Sequence, residues 1–568
     1  MNDSTTASSD RTPSDRADVC IVGSGPAGSL VAYTLAERGY DVVVLEAGER
    51  FDFESRLERM ERSLRPAHYE TSIWNMGGAR DAFTSSGEAF YPLNQRRVKG
   101  VGGSTLHWGG RVARLPEKDF EMRSRYGIAS DWPIDYSDLR PYYVDAEREL
   151  GVAGDDDNPF AASREEPYPM DAFPPSYSDR LLGAACDELG ITVHSAPSAR
   201  NAEPYDGRSP CVGYSTCSPV CPSGAKYSAD VHVAKAETHG ARIIDQATVQ
   251  RLAHDDAGDR ITAAVYRTPD GATHRQRADQ FVVAGGGIET PRLLLLSASS
   301  AHPDGLANSS GAVGRYLMEA IYVGVVGELA VPTRQHRIGF GTTESYEFYE
   351  PDDVPPGSFK IEFGNTAGPT PVGLALEQRS PLSDLQELAS APTDSERLSA
   401  LERDTKPIQW GDDLLRTIDE NFGNHFNIVA EVEVLPHAEN NVSLDTSETD
   451  PFGNPIPDVS WGYTTEYEER TIDRAFEVIE RIVSNLPVDV EWAERFEYRG
   501  GASHPSGTTR MGTDPAESVV DPNLRTHDAR NLHVVGSSTF TTRGASQPTL
   551  TIAALALRLG DHLAENVL

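Results

Sequence analysis

Cysteine is scarce in this chain, and its scarcity excludes one class of protein. The 568 residues include five cysteines, an odd number at low density, whereas small secreted domains that depend on disulfides are rich in cysteine. Three of the five, Cys211, Cys217 and Cys221, lie together in the stretch CVGYSTCSPVCPSG. Cys20 lies in an apolar strand-like run and Cys186 in a helix-like run, so we expect both to be buried structural thiols.

Long apolar runs and positive charge are also lacking. No stretch approaches the roughly 20 apolar residues that a membrane-spanning helix needs. The formal net charge is −36, and only six of the 51 basic residues are lysine. Nucleic acids require clustered Lys and Arg, so we expect no nucleic-acid partner. The acidic, lysine-poor composition resembles that of proteins from salt-loving archaea, with an ordinary acidic enzyme as the alternative.

Residues 1–16 are polar and rich in small side chains, and we expect them to form a disordered leader. They lack an apolar segment and a twin arginine, so no secretion signal is visible. Two localisations stay open on this basis. One is the cytoplasm, and the other is a membrane-associated or exported form that depends on a partner protein.

A glycine-rich turn follows the first apolar strand. ADVCIVG leads into GSGPAG, then an Ala- and Leu-rich run that Gly39 closes, then DVVVLE. This order predicts a strand, a helix and a second strand. Gly23, Gly25 and Gly28 let the backbone approach a pyrophosphate at the helix N-terminus. Glu46 ends the second strand, where an acid can bind ribose hydroxyls. The unit predicts a site for FAD or NAD, with a ligand-free glycine turn as the alternative.

Three further motifs carry a resemblance to a known family. VKGVGGSTLHWGGR spans 98–111, AGGGIETPRLLLL spans 284–296, and SHPSGTTRMG opens a long C-terminal stretch at 503. In this order and spacing they resemble the glucose–methanol–choline (GMC) oxidoreductases, over residues 17–330 and 425–568. The resemblance implies FAD as the cofactor. It also implies an α/β fold, with a Rossmann-like FAD-binding domain in discontinuous segments and an α+β substrate domain built on an antiparallel sheet.

The same resemblance divides the chain into segments. After the leader, we expect an FAD-binding domain at 17–125, 230–325 and 500–568, a connecting segment with the cysteine motif at 126–229, and a substrate domain at 326–499. Within the substrate domain, HFNIVAEVEVL alternates like a strand and TEYEERTIDRAFEVIERIV is a typical amphipathic helix. A charged run from Pro381 to Arg416 is also helix-like.

Within the family the chain most resembles FAD-dependent sugar and sugar-acid dehydrogenase large subunits, which share a C-x5-C-x3-C-P-x-G-A stretch. Cys211, Cys217, Cys221 and Pro222 reproduce it, and in such relatives the cysteines hold a 3Fe-4S cluster that takes electrons from the flavin. Thiolates are the ligands that iron–sulfur clusters use. Zinc normally takes four ligands, and His232 lies at an awkward distance along the chain for it. Zinc, structural thiols and redox-active thiols remain alternatives.

The motif at 98–111 is expected beside the flavin. In some family members a histidine in a GG-x3-HW arrangement is joined covalently to the flavin, and His107 and Trp108 match that pattern after Gly102 and Gly103. The resemblance implies that these four residues and Ser104 contact FAD. Neutral imidazole can act as a nucleophile, so covalent attachment at His107 stays open beside simple packing against the ring.

Oxidation of an alcohol needs a base for the hydroxyl proton, and histidine is the usual choice near neutral pH. The chain has 15 histidines, and His504 opens HPSGTTRMG, where relatives place their catalytic histidine. Relatives pair it with a His or Asn just before the final helix, but here that place holds Gln547. A glutamine amide can donate to or accept from a substrate oxygen. We therefore expect Gln547 to contact the substrate or the flavin.

The C-terminal stretch completes the expected FAD site. NLHVVGSSTF predicts a buried strand that ends at Gly536 and Ser537, and PTLTIAALALR predicts a helix with Pro548 and Thr549 at its start. The positive N-terminal end of this helix would face the flavin, where negative charge builds on reduction.

Together these features predict an FAD-dependent dehydrogenase of an alcohol group in a sugar, sugar acid or polyol, with electrons leaving through a 3Fe-4S cluster to an external acceptor. The resemblance implies a small partner subunit and a cytochrome. One alternative is an FAD alcohol oxidase that uses oxygen and has structural cysteines. A second is a non-redox flavoprotein of the same fold. The substrate itself is not named by the sequence.

Overall fold

The computed structural model describes residues 16–64, 73–334, 339–350, 357–365 and 411–568. The helices in these ranges are α1 Pro26–Glu37, α2 Ser55–Ser63, α3 Met122–Tyr126, α4 Tyr136–Leu150, α5 Tyr177–Glu188, α6 Asp230–Thr238, α7 Gly286–Leu296, α8 Gly411–Asn421, α9 Glu466–Ser484 and α10 Thr549–Asn566. The strands are β1 Ala17–Val22, β2 Val42–Leu45, β3 Thr84–Gly87, β4 Ala153–Gly154, β5 Met170–Asp171, β6 His194–Ser195, β7 Arg242–Ile244, β8 Thr248–His254, β9 Ile261–Arg267, β10 Thr273–Gln276, β11 Ala278–Val283, β12 Ile321–Leu329, β13 Thr343–Ser345, β14 Phe359–Phe363, β15 His425–Val432, β16 Asn441–Thr449, β17 Pro455–Trp461, β18 Val490–Arg499 and β19 Leu532–Val534.

A parallel sheet forms the first half of the molecule. Its five strands lie in the order β19-β11-β1-β2-β7 and all pair in parallel. Strand β2 is buried along its whole length, as expected for a parallel sheet covered on both faces. Helix α1 packs against α6 and α10, and it ends just before Gly39, whose φ of 89° continues the turn. The predicted strand–helix–strand unit is confirmed.

The chain leaves the parallel sheet and returns to it near its end. Strand β11 ends at Val283, and its neighbour β19 begins at Leu532. The intervening residues build most of a second half with its own core, which includes Ile428 and Ala430. This return explains why the family motifs of one site lie at both ends of the sequence.

An antiparallel sheet dominates the second half. Its six strands lie in the order β18-β12-β15-β14-β13-β6, and α9 packs against β12 and β15. Thr465 and Glu468 form a capping box at the start of α9, which fixes where the predicted amphipathic helix begins. The expected boundary between the FAD-binding and substrate domains, at residue 325, falls inside β12. The whole of this strand pairs within the antiparallel sheet.

The fold is therefore α/β, with a Rossmann-like sheet and an antiparallel substrate-side sheet, as predicted. Cys20 and Cys186 are both 0% exposed, which confirms the expected burial of the two isolated thiols. The expected leader lies outside the described residues except for Arg16, and the charged run from Pro381 lies outside them as far as 410. Within the described part of the chain, no helix has the length and apolar character needed to cross a membrane.

Candidate active site

A cleft of about 300 Å³ lies where the two halves meet, a volume within the range of small-molecule sites. One part is lined by Gly23 and Gly25 of the phosphate loop and by Glu46 at the end of β2. Another part is lined by His504 and Pro548. A single cavity thus joins the predicted dinucleotide motif to the predicted catalytic histidine.

The phosphate loop is tied to the acid at the end of β2. Glu46 Oε2 accepts hydrogen bonds from the Ser24 amide at 2.9 Å and the Ser24 hydroxyl at 2.7 Å, and Oε1 accepts one from the Gly48 amide at 2.9 Å. A side chain at Gly28 would place its Cβ 2.0 Å from the carbonyl oxygen of Gly23. Glycine is therefore required where α1 approaches the turn. Burial raises the pKa of Glu46 despite these donors.

The glycine-rich loop at 102–108 lies over the phosphate loop. The Gly102 amide donates to the Ser24 hydroxyl at 3.3 Å, and a Cβ at Gly103 would lie 3.0 Å from the Gly25 Cα. The cleft is lined by Gly103, Ser104 and Trp108. Backbone of both loops therefore approaches the same space closely, which side chains larger than glycine would prevent.

His107 lies at the same loop but in the interior. Its side chain is 3% exposed, whereas the neighbouring Thr105 and Trp108 line the cleft. Burial, and then the positive charges of Arg96 and Lys226, hold the pKa of His107 well below its usual range. The imidazole is therefore neutral near pH 7, which is its nucleophilic form.

Three helices begin at the cleft. Pro26 of α1, Gly286 of α7 and Thr549 of α10 all line it, and Pro548 is the N-cap residue of α10. The N-terminus of a helix carries partial positive charge and free amide groups, so it attracts anionic groups of a ligand. Gly536 and Ser537, which follow β19, line the same wall. The structure thus brings the predicted C-terminal residues to the predicted N-terminal loop.

His504 is held by carboxylates on two sides. Its backbone amide donates to both oxygens of Glu319, at 2.8 and 3.0 Å. Its ring Nδ1 lies 3.2 Å from the Tyr322 hydroxyl, 3.2 Å from Nη2 of Arg543 and 3.2 Å from Oε1 of Glu431. The side chain is 14% exposed and lines the cleft. Nδ1 therefore faces the protein network, which leaves Nε2 for a ligand in the cleft.

Gln547 lies on the other side of Glu431. Its Nε2 donates to Glu362 Oε1 at 2.7 Å and to Glu431 Oε2 at 3.0 Å, while its Oε1 accepts from the Lys360 ammonium at 2.7 Å. Both amide hydrogens are used within the protein, and the residue is 8% exposed. The sequence pairs Gln547 with His504, and in the structure Glu431 links them. Direct contact of Gln547 with a substrate remains a prediction.

The three clustered cysteines carry free thiols. Cys217 and Cys221 are each 8% exposed. Burial raises the pKa of Cys211, with smaller contributions in the same direction from Cys217 and Cys221 that the Gly213 amide and Arg200 oppose. Burial also acts to raise the pKa of Cys221, but the amide of Lys226, the hydroxyl of Ser223 and the Lys226 ammonium together bring it below its ordinary value.

Among the described residues, no three His, Cys, Asp or Glu side chains converge to hold one metal ion. A zinc ion needs its ligands to meet at a single point. The thiolates of an iron–sulfur cluster bind different irons and do not converge in this way. The described residues therefore show no preformed metal site at the three cysteines, and the 3Fe-4S cluster stays a prediction.

Comparisons with known proteins agree with this geometry. Two family models described as GMC oxidoreductase match residues 86–321 and 436–556, and one described as FAD dependent oxidoreductase matches 18–100. The chain is 33% identical over 563 residues to the fructose dehydrogenase large subunit of Gluconobacter japonicus, with 96% of this chain and 97% of the relative covered. The chain belongs to the GMC oxidoreductase family.

Other proteins of similar length match this GMC oxidoreductase as well. It is 31% identical over 573 residues to 2-methyl-1,2-propanediol dehydrogenase of Mycolicibacterium austroafricanum, covering 97% of this chain and 96% of the relative. Among solved structures, pyridoxine 4-oxidase from Mesorbium loti matches with a TM-score of 0.62 at 19% identity, covering 97% of this chain and 99% of that one. The last likeness shows the fold alone.

The residues of this GMC oxidoreductase fit FAD. The cleft combines a glycine turn that only small residues permit, an acid at the end of β2 and three helix N-termini. Sequence reasoning missed a basic wall of the same cleft, formed by Arg96, Arg97 and Lys99. Lys99 Nζ lies 3.2 Å from both Asp81 and Glu289. The signal was present in the run QRRVKG, a basic cluster directly before the glycine loop.

Sequence reasoning also missed the charged network beside His504. Lys360 lies on β14, Glu431 on β15 and Arg543 in the segment before α10, and all three are 0–1% exposed. The available signal was a charged residue at an alternate position within an apolar strand, as in SFKIEF and IVAEVEVL. Charges at such positions are rare unless they are paired, so they mark candidate site residues.

Proposed function

We propose that this GMC oxidoreductase is a dehydrogenase that oxidises an alcohol group of a sugar, sugar acid or polyol. One observation supports this most directly: His504 lines the same cleft as the phosphate loop and Glu46, so a base and a dinucleotide share one space. FAD bound there would accept a hydride from the carbinol carbon. The names of two relatives, a fructose dehydrogenase and a propanediol dehydrogenase, support a hydroxyl donor.

Three residues of the chain have proposed roles in the reaction. His504 takes the hydroxyl proton through Nε2, since Nδ1 faces Glu431. Glu319 fixes the backbone at His504 through two hydrogen bonds. Gln547 orients the substrate side of the pocket, either through its remaining acceptor lone pair or by exchanging one of its bonds to Glu362 and Glu431.

The cysteine segment is proposed to hold a 3Fe-4S cluster on Cys211, Cys217 and Cys221. Two of these thiols are nearly buried, and the surroundings of Cys221 lower its pKa, which favours the thiolate that a cluster requires. Lys226 connects the two segments, since its Nζ donates to the Cys217 carbonyl of the cysteine segment and to the Trp108 carbonyl of the glycine-rich loop. A cluster bound there would supply a route for single electrons.

A partner protein is proposed to accept these electrons. Val212 is 68% exposed and Tyr214 is 49% exposed, and both lie between Cys211 and Cys217. Phe53 of the adjacent segment, also 51% exposed, comes near Gly224, where an added Cβ would lie 2.8 Å from its ring. Val212 and Tyr214 thus expose two large side chains on one short loop, and exposed apolar surface is typical of a protein interface. The Gluconobacter relative is named a large subunit, which supports a partner.

A double substitution, Val212→Ser with Tyr214→Ser, tests the partner surface. The expected result is slower reduction of a cytochrome c, with unchanged reduction of a small dye that reaches the flavin directly. Both assays are run at high salt, because the net charge of −36 attracts any basic cytochrome unspecifically. Equal loss with both acceptors would place the defect in the enzyme rather than at an interface.

Spectroscopy of anaerobically purified protein tests the cofactors together. We expect flavin absorption and an EPR signal from an oxidised cluster. We also expect about three iron atoms and about four sulfides per chain. Less than about one iron per chain after reconstitution would contradict the cluster. Oxygen consumption with peroxide release would then favour the oxidase alternative. Failure of every alcohol tried to bleach the flavin would favour a non-redox flavoprotein.

A further inference from the structure

We propose that Glu431 is the positioning residue that decides which ring nitrogen of His504 carries the proton. Glu431 Oε1 lies 3.2 Å from His504 Nδ1, and Glu431 Oε2 accepts a hydrogen bond from Gln547 at 3.0 Å. The inference rests on the proposed role of His504 as the base, and it explains how that role becomes available.

A neutral imidazole carries a single N–H, on one nitrogen or the other. His504 can accept a hydroxyl proton through Nε2 only when its own hydrogen is on Nδ1. The groups around Nδ1 differ in what they favour. Arg543 is a donor only, so its approach to 3.2 Å favours a lone pair on Nδ1 and leaves Nε2 protonated. That tautomer cannot act as the base.

Glu431 opposes Arg543 at this nitrogen. An ionised carboxylate is an acceptor only, so its position favours Nδ1–H and leaves a lone pair on Nε2. Tyr322 lies at 3.2 Å as well, but a hydroxyl can donate or accept and therefore selects neither tautomer. The choice of tautomer thus depends on whether Glu431 remains charged.

Glu431 is 0% exposed, and burial alone would raise its pKa. Lys360 and Arg543, with the hydrogen bond from His504, outweigh burial and hold the pKa of Glu431 below its usual range. Lys360 Nζ lies 3.5 Å from Glu431 Oε2, and Arg543 Nη2 donates directly to Oε1. The guanidinium of Arg543 is therefore already paired with the carboxylate, which limits its effect on the imidazole.

The sheet register builds this arrangement. In the antiparallel pairing, Glu431 of β15 is opposite Lys360 of β14 on one side and Tyr322 of β12 on the other. Side chains opposite each other on neighbouring strands are in contact. Tyr322, Glu431 and Lys360 therefore form a single row across three strands. This row places a hydroxyl, a carboxylate and an ammonium beside His504 and Gln547.

The other charged groups come from each element packed against this row. They are Glu319 before β12, Glu344 on β13, Glu362 on β14, Arg111 in the loop after Trp108, and Arg543 before α10. Lys360 is within 3.3 Å of Glu344 and 2.8 Å of Glu362. Glu431 is the carboxylate among these that contacts the His504 ring.

During the reaction, the substrate O–H bond breaks and its proton passes to Nε2 of His504. FAD bound in the cleft would take the carbon-bound hydrogen with its electron pair as a hydride, which leaves the substrate carbon as a carbonyl. The imidazolium that results keeps its Nδ1–H bond to Glu431, where the negative charge stabilises it. Glu431 itself stays ionised throughout.

The nitrogen chemical shifts of a histidine ring report its tautomer directly in the intact holoenzyme. With ¹⁵N-histidine labelling, and with the His504 signals assigned by their loss in His504→Asn, the holoenzyme should show His504 as the Nδ1–H form when neutral. In Glu431→Gln we expect a shift toward the Nε2–H form, since the amide can donate to Nδ1. An Nε2–H form in the unmodified enzyme would overturn the inference without any variant having to fold.

Kinetics provide the second measurement. Glu431→Gln should slow flavin reduction by about 10²–10⁴-fold, with KM little changed, and the acidic limb of the pH–rate profile should move to lower pH because the imidazolium loses its stabilising charge. Glu431→Asp should recover part of the rate. Glu433→Gln is the matched control, since Glu433 is equally buried but accepts from Tyr467 instead, and it should keep the original profile.

The results distinguish the role of His504 as the base from the role of Glu431 as its positioning residue. If His504→Asn leaves flavin reduction fast, the proposed function of His504 fails. If His504→Asn slows it but Glu431→Gln keeps the rate, the tautomer and the pH profile, then Glu431 is merely structural and only this inference fails. Circular dichroism of each variant confirms that the folded enzyme is being compared.

Discussion

Lys226 Nζ donates a hydrogen bond of 2.6 Å to the backbone carbonyl of Trp108. The same ammonium donates to the carbonyl of Cys217 at 2.8 Å and to that of Leu106 at 3.2 Å, so all three of its hydrogens are used. Lys226 is 1% exposed. Burial lowers the pKa of Lys226 to about 7. This buried lysine therefore ties the cysteine segment to the loop beside the cleft, and the two proposed redox groups share one polar anchor.

Replacing Lys226 should loosen both segments at once. Lys226→Met keeps the apolar length of the side chain but leaves three buried carbonyls without their donor, so we expect the free energy of unfolding to fall by about 1–3 kcal/mol. Cys217, 8% exposed in the intact protein, should react faster with an alkylating reagent. Thermal unfolding and timed alkylation measure the two effects.

Lys235→Met is the control for this change. The Lys235 ammonium is 26% exposed and pairs with Glu149 and Asp206 at the surface, where ion pairs contribute little. Equal melting temperatures for the two variants would show that Lys226 is no anchor.

Removing the acid at the end of β2 should weaken cofactor binding. Glu46→Ala loses an acceptor for the Ser24 amide and hydroxyl and for the Gly48 amide, and it removes the expected ribose contact. We expect FAD affinity to fall about 10–100-fold, equivalent to about 1.4–2.8 kcal/mol. Flavin fluorescence during dilution measures the release. Glu37→Ala, at an exposed position on α1, should retain FAD, and similar release from both would contradict the assignment.

Loss of the proposed base should affect chemistry rather than cofactor content. His504→Asn removes the proton acceptor while leaving the cleft its shape, so we expect flavin reduction by an alcohol to slow by about 10²–10⁴-fold. The absorption spectrum should show normal flavin occupancy. Rapid-mixing measurements of flavin bleaching give the rate. His239→Asn, at an exposed position after α6, should reduce flavin at the original rate.

Covalent attachment of flavin at His107 has a direct test. The imidazole is neutral because burial lowers its pKa, so its chemistry permits the bond. If the bond exists, acid precipitation leaves yellow flavin on the protein, and His107→Asn releases all of it. Release of all flavin from the unmodified protein would leave His107 as a packing residue.

Acid should destabilise the protein through His533. Burial, and then His562 and Arg525, lower the pKa of His533 to about 3, whereas an unfolded histidine titrates near about 6.5. The unfolded state therefore binds more protons between these values, so the free energy of unfolding falls as pH drops below about 6.5. Each unit of separation corresponds to about 1.4 kcal/mol.

Denaturant unfolding at a series of pH values checks this prediction. His533→Leu removes the titrating group from its buried place on β19, so the variant should lose less stability than the unmodified protein between about pH 7 and about pH 5. Parallel curves for the two proteins would show that His533 does not contribute to the acid sensitivity.

Much of the cofactor site could be predicted from local sequence. The turn at Gly23 and Gly28 needs a backbone that only glycine adopts without a clash, and the flanking apolar runs specify a strand and a helix whatever the rest of the chain does. Pro548 at the start of α10 is a local signal of the same kind. The role of His504 was also predicted from a contiguous motif, HPSGTTRMG, because relatives in the family place their catalytic histidine there.

The surroundings of His504 could not be predicted in this way. Lys360, Glu431 and Tyr322 are distant in sequence, and only the pairing of β14, β15 and β12 sets them side by side. A shift of one residue in that register would turn these side chains to the other face of the sheet. Lys226 likewise acquires its role from carbonyls of Leu106 and Trp108 that lie in another segment.

The sequence by itself therefore determined the dinucleotide fold, the family, the histidine proposed as base and the three grouped thiols, because each depends on residues that are neighbours along the chain. The tertiary structure alone decided that Gln547 reaches His504 through Glu431 and that a buried lysine joins the cysteine segment to the cleft. Buried charges must be paired to be tolerated, and their partners are chosen by strand register and packing rather than by proximity in sequence.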